Sequence, residues 1–210
     1  MKQHGFSLVE IAIVLVIIGL ILGGILGARS IISSMQAKDV AAIVDDLRTA
    51  TAYFTKRFNY LPGDFPTPVD ISAGLLPGTG GTLGNGLIEG AINAQGQAAG
   101  GSEVAEAPWQ LYNAGLLGKI SSDPTMRIKT IFGAVHLVAA TNASVPAGYA
   151  AANPTVRNVI LFFNLPCEIV NEVDVKIDDG VINTGKAMTN VVPAVCPDGT
   201  IVPVYAVALQ

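Results

Sequence analysis

Apolar and polar positions alternate in three different ways along this chain, and each mode predicts a different element. From Ile11 to Ala28 no side chain carries a charge, and apolar residues fall on every face of a helix. That length is close to the ~20 residues with which a helix crosses a bilayer. Charges return at Arg29 and Lys38, yet the helical period continues. Val40, Val44, Leu47, Phe54 and Phe58 keep an apolar stripe, with Lys38, Asp45, Asp46, Arg48, Lys56 and Arg57 on the polar side. No proline precedes Pro62. The pattern predicts one helix over residues 6–59, on the order of 80 Å long. Its first part, 6–28, suits a membrane or the core of a filament, and its second part packs on a head.

The head, residues 60–210, is patterned differently. Tyr60 to Pro66 is a helix stop and turn. Residues 74–101 hold ten glycines and few large apolar side chains, which predicts a long exposed loop, flexible or in contact with other subunits. No glycine-lysine pair there is followed by Ser or Thr, and Gly78-Thr-Gly80 is not completed by a glycine at 83, so neither phosphate-binding pattern is present. Glu103 to Gly115 predicts a short helix, restarted at Pro108, with Trp109 and Tyr112 facing inward. Strands are predicted in Ile128–Ala139, Val156–Asn164 and Ile201–Val207. Between the last two, Ile169, Val170, Val173 and Ile177 are spaced as a helix that Gly180 ends. The fold class is α+β: a long N-terminal helix packed on an antiparallel sheet, with no internal repeat.

Composition narrows the chemistry. Half of the residues are apolar, 13% are charged, and the net charge is −4 with no basic block, so no nucleic-acid partner is expected. Of the two histidines, His4 lies before the apolar run and His136 sits in a strand-like apolar stretch, where a core or surface role is expected. A catalytic triad therefore has little support, a histidine-rich zinc site is excluded, and no catalytic residue is assigned. Asp174, Asp178, Asp179 and Asn183 gather hard oxygen ligands around a glycine turn, a set that suits calcium. Their spacing is not that of an EF-hand, and solvated or capping roles are the plainer reading.

The most specific chemistry lies at the start. Gly5-Phe6-Ser7-Leu8-Val9-Glu10 places one carboxylate at the head of the uncharged run, and a carboxylate in hydrocarbon costs several kcal/mol unless a positive group meets it. The nearest source is the amine made by cutting the chain before Phe6. This segment resembles the leader of type IV pilins and of the pseudopilins of type II secretion. The resemblance implies that residues 1–5 are a leader peptide, that a prepilin peptidase cuts between Gly5 and Phe6, and that the new amine of Phe6 is methylated. It further implies that Glu10 neutralises the Phe6 amine of a neighbouring like subunit in a helical filament. An inner-membrane platform protein and an assembly ATPase would be further partners. An ordinary secretory signal is the first rival, but its best cleavage site, Leu26-Gly27-Ala28, has a large residue in first position. A plain signal anchor with Glu10 reaching to the interface is the second.

Gly19, Gly23 and Gly27 fall at four-residue spacing and form one glycine face, as in helices that approach closely; glycine is also common in membrane helices generally. Relatives often carry a proline in this segment and this chain has none, which leaves Gly23-Gly24 as its weak point. Leu61-Pro62-Gly63-Asp64 resembles the junction after the long helix in a subset of pilin-like proteins.

Lys2 precedes the apolar run, so the N-terminus is expected in the cytoplasm and the head outside it. The expected location is a bacterial inner membrane and then an extracytoplasmic filament. Cys167 and Cys196 would meet an oxidising compartment, where pairing is expected and would add roughly 3–4 kcal/mol. The C-terminal disulfide of many pilins implies the same, and two buried thiols are the alternative. The expected function is a structural subunit of a type IV pilus or pilus-like filament. The alternatives are a type II secretion pseudopilin, some of whose relatives bind calcium in the head, and a membrane-anchored binding module that does not assemble. Glu10 argues against a secretion tip subunit, which commonly lacks it.

Overall fold

A computed structural model describes residues 8–66, 81–190, 196–197 and 199–210, with the side chains of 24–29 outside that description. The first helix, α1 (Leu8–Phe58), is continuous across Gly23-Gly24 and on the order of 75 Å long. Its stop is local. Asn59 takes a left-handed conformation, φ 61°, and returns its N–H to the carbonyl of Thr55 at 2.8 Å, closing the last turn.

The remaining elements are α2 (Glu103–Asn113), β1 (Ile128–Lys129), β2 (Ala134–Ala139), α3 (Tyr149–Ala152), β3 (Asn158–Pro166), α4 (Cys167–Ile177), β4 (Ala187–Thr189) and β5 (Ile201–Ala208). The strands form one antiparallel sheet in the order β1-β2-β3-β5-β4. The β3–β5 register pairs Phe163 with Val204 and Leu165 with Val202, passing over Asn164 and Pro203. Pro203 has no N–H to contribute to the ladder, and Asn164 turns to φ 58° opposite it.

The inner half of α1 lies on this sheet and beside α4. Val40, Val44, Leu47 and Phe54 of the predicted stripe are buried, joined by Ala37, Ala50 and Thr51, while Phe58 is half-buried. Two polar ties fix the helix along its length. Ser34 donates to Glu172 of α4 at 3.1 Å, and Arg48 donates twice to the carbonyl of Ala208 at the end of β5, at 3.1 and 2.8 Å.

The structure corrects several details. The run 128–139 is a hairpin rather than one strand. Thr130 takes the N–H groups of Phe132 and Gly133, and a Cβ on Gly133 would lie 2.4 Å from the carbonyl oxygen of Phe163, so only glycine lets the turn approach β3. Helix α2 runs unbroken through Pro108. Tyr112 is exposed rather than inward, and Trp109 is half-buried, with the Arg127 guanidinium 4.7 Å from its ring centre. Asn-, Gly- and Thr-rich polar sequence around them concealed α3 and β4.

Candidate functional site

Two regions carry unusual physical chemistry. The first is the outer half of α1. Leu8 is 90% exposed and Leu20 72%, and large apolar side chains on all faces between them are exposed as well, with Ile31, Ile32 and Met35 beyond. The rest of the described chain packs on the helix only from about Ser34 onward. Where a Cβ would stand on Gly19 or Gly23 there is no atom within 4 Å, so the glycine face is open to the close approach of another helix. Glu10 lies exposed in the first turn of α1, where the helix dipole favours a carboxylate. Gly5 and Phe6 lie outside the described residues, as do the surroundings of Gly27. Among the described residues no helix is long and apolar enough to cross a membrane. The described side chains of the apolar run, residues 8–23, fall short of the ~20 that a span needs.

The second region is the junction where α1 gives way to the head. Asp64, almost wholly buried, accepts the N–H groups of Gly84, Asn85 and Gly86. Gly84 and Gly86 have φ near 79° and 78°, the left-handed geometry that turns successive N–H groups toward one anion. Burial pushes the Asp64 carboxyl up against the pull of these three donors. Gly63 must be glycine, since its Cβ would lie 2.4 Å from the carbonyl oxygen of Glu103. Its N–H donates to Gln110 at 2.8 Å.

Glu103, at the start of α2, is fully buried. One carboxyl oxygen accepts the N–H of Glu89 at 2.7 Å and the other has no partner among the described residues. Burial first, then the charges of Asp64 and Glu89, push its carboxyl up to about 7. The described part of the glycine-rich stretch, 81–101, is therefore no loose loop. It is tied to Asp64, Glu103 and Asn158, and its Gly96 carbonyl lies 2.8 Å from Nε2 of His136. His136 is a core residue, and burial pushes its pKa down.

The acidic group at the end of α4 is put to local use. Asp174, in the last turns of α4, is fully buried and accepts the Tyr205 hydroxyl at 2.8 Å, with its second oxygen unpartnered among the described residues; burial pushes it up to about 6. Asp178 accepts the N–H of Ala187 at 2.7 Å, starting β4. Asp179 takes the Val181 N–H and the Thr184 hydroxyl. Asn183 is half-buried in the same turn. Among the described residues no group of His, Cys, Asp or Glu side chains stands close enough to hold a metal ion. Cys167 and Cys196 are joined in a disulfide, their Cα atoms 5.6 Å apart.

The buried roles of Asp64 and Glu103 were not foreseen. The available signal was an aspartate just after Pro-Gly, followed twenty residues on by Gly84-Asn85-Gly86, a spacing that lets alternate glycines point N–H groups at one carboxylate. No curated protein and no solved structure matches the chain. Residues 1–26 match the family described as the prokaryotic N-terminal methylation motif. The chain therefore begins with the prepilin-type signal of type IV pilins and pseudopilins, followed by a helix whose outer half is apolar on every face and an α+β head.

Proposed function

We propose that this protein is a structural subunit of a type IV pilus or pilus-like filament, cut by prepilin peptidase after Gly5 and assembled through α1. The observation that carries the reading is the exposed apolar half of α1 directly after the methylation motif. Such a surface is stable in two settings, a bilayer and a bundle of like helices, because each removes apolar area from water at roughly 25 cal/mol per Å². An assembly ATPase and platform protein can then move the subunit between settings of similar free energy. Glu10 makes the transfer selective, since its charge resists apolar surroundings that supply no cation. The head stays outside the membrane, where its disulfide persists.

The test is the N-terminal sequence and intact mass of the protein recovered from membranes. A chain beginning at Phe6, with one added methyl group and two hydrogens fewer for the disulfide, supports the reading. A chain beginning at Met1 in a host with active prepilin peptidase, or one beginning after Ala28, overturns it.

A further inference from the structure

At the far end of α1 from its apolar half, a cleft of about 350 Å³ opens between the helix stop, the 84–86 turn and the start of β3. Its lining combines one aromatic ring with groups that hydrogen-bond in fixed positions. Tyr60 is 37% exposed and held on two sides: its ring lies 5.5 Å from that of Phe65, and the Cβ position of Gly84 is 3.2 Å from its edge. The Arg157 guanidinium is anchored by one donation to the carbonyl of Asn85 at 2.9 Å, and a guanidinium has further N–H groups to offer. Asn59, exposed in its left-handed conformation, completes the polar side.

Charge decides the class of ligand. Among the described residues, Asp64 and Arg157 are the charged side chains lining the cleft, and their charges are opposite. The Asp64 carboxylate is already engaged by three backbone N–H groups. A cleft with cancelling charges gives no field to draw an anion or a cation. An apolar ligand would in turn cover the spare guanidinium donors of Arg157 without pairing them, which is unfavourable. What remains is a neutral molecule with one apolar face and many hydroxyls.

We propose that this cleft binds a neutral saccharide of one or two hexose units. The C–H face of the sugar ring stacks on Tyr60, and its hydroxyls bond to Arg157 and Asn59. Tyrosine suits the task because it presents a broad ring beside a polar tip, and the site is largely preformed, as small-ligand sites commonly are. The proposal goes beyond filament assembly and does not depend on it.

Saturation-transfer NMR on the full-length protein in detergent micelles, with a panel of neutral mono- and disaccharides, tests it. The expected result is saturable transfer to at least one sugar, retained by Tyr60→Phe and weakened roughly tenfold or more by Tyr60→Ala and by Arg157→Gln. Arg157→Gln guards against a folding artefact, because the ring and its Phe65 contact remain in that variant. Absence of saturable transfer across the panel overturns the proposal. So does binding that survives both Tyr60→Ala and Arg157→Gln, or that prefers a uronic acid to its neutral parent.

Discussion

The two halves of this molecule handle apolar and charged atoms in opposite ways. The outer half of α1 wears its apolar side chains on every face and keeps its one carboxylate, Glu10, exposed. The head buries its apolar residues and, with them, Asp64, Glu103 and Asp174. A helix apolar all round is incomplete in water, because burial of a single stripe is what ordinarily stabilises a helix in a domain. Within the head, backbone N–H groups meet Asp64 and one oxygen of Glu103, and the Tyr205 hydroxyl meets one oxygen of Asp174. The difference separates two selective pressures on one polypeptide. On the proposed reading partners shape the rod, and contacts within the chain shape the head.

Substitution at Glu10 gives the largest expected effect. On the proposed reading the Glu10 carboxylate meets the Phe6 amine of a neighbouring subunit. Its removal leaves the charge of that amine unmatched in the apolar layer at a cost of about 3 kcal/mol. Glu10→Ala should lower the yield of sheared filaments by about two orders of magnitude and leave the unfolding midpoint of the head where it was. Normal filament yield from this variant would show that the carboxylate is not used in assembly.

The converse substitution is in the inner half of the same helix. Phe54 is fully buried and packs on Phe58 and Phe65, with ring centres 4.7 and 6.1 Å away. Phe54→Ala should destabilise the head by about 3–5 kcal/mol, whereas Leu15→Ala in the exposed half should change its stability by less than ~0.5 kcal/mol. Denaturant unfolding of detergent-solubilised protein, followed by Trp109 fluorescence, measures both. Equal losses would erase the distinction between the halves.

A smaller loss should follow Asp64→Asn. The amide nitrogen of asparagine would face one of the N–H groups now met by a carboxylate oxygen, leaving a buried donor unpaired at a cost of about 2 kcal/mol. The same unfolding experiment reads it, and the junction should open first, seen as faster amide exchange at Gly84 and Gly86.

How far these features could be read in advance depended on the range of the forces involved. The long helix was legible because its signals are local: an uninterrupted period, no proline before Pro62, and a stop at Asn59-Tyr60. Strands β3 and β5 were legible because they are long apolar runs. β4 was not, since Ala187–Thr189 is held by the side chain of Asp178 and by the partner strand β5, neither of which leaves a mark in three residues. The ties of the glycine-rich stretch were hidden for a related reason. Glycine signals freedom of φ, and freedom of φ serves a flexible loop and a tightly bound one equally. Only the position of Asp64 decides between them, and that contact spans twenty residues of chain.

A pH-dependent effect comes from the charges the head has taken inside. A carboxyl whose pKa is raised on folding holds its proton longer in the folded chain than in the unfolded one. For Glu103 the window runs from the ordinary value of 4.5 to about 7. Within it the folded state binds more protons, so stability falls as pH rises. Below the window the contribution is level, and above it the full cost of an ionised carboxylate in a buried site is present. Asp174, pushed up to about 6, acts with the same sign over a lower range. Glu103→Gln copies the protonated acid: its amide oxygen can still accept the Glu89 N–H, and no charge forms. The variant should therefore match the wild type near pH 4 and exceed it in thermal midpoint above pH 7. The slope that remains below about pH 6 combines Asp174 and Asp64, which act with the same sign, with His136, whose lowered pKa acts in the opposite direction. If Glu103→Gln melts lower than the wild type at pH 8, the ionised carboxylate is stabilising, and the head satisfies its buried charges more fully than its hydrogen bonds show.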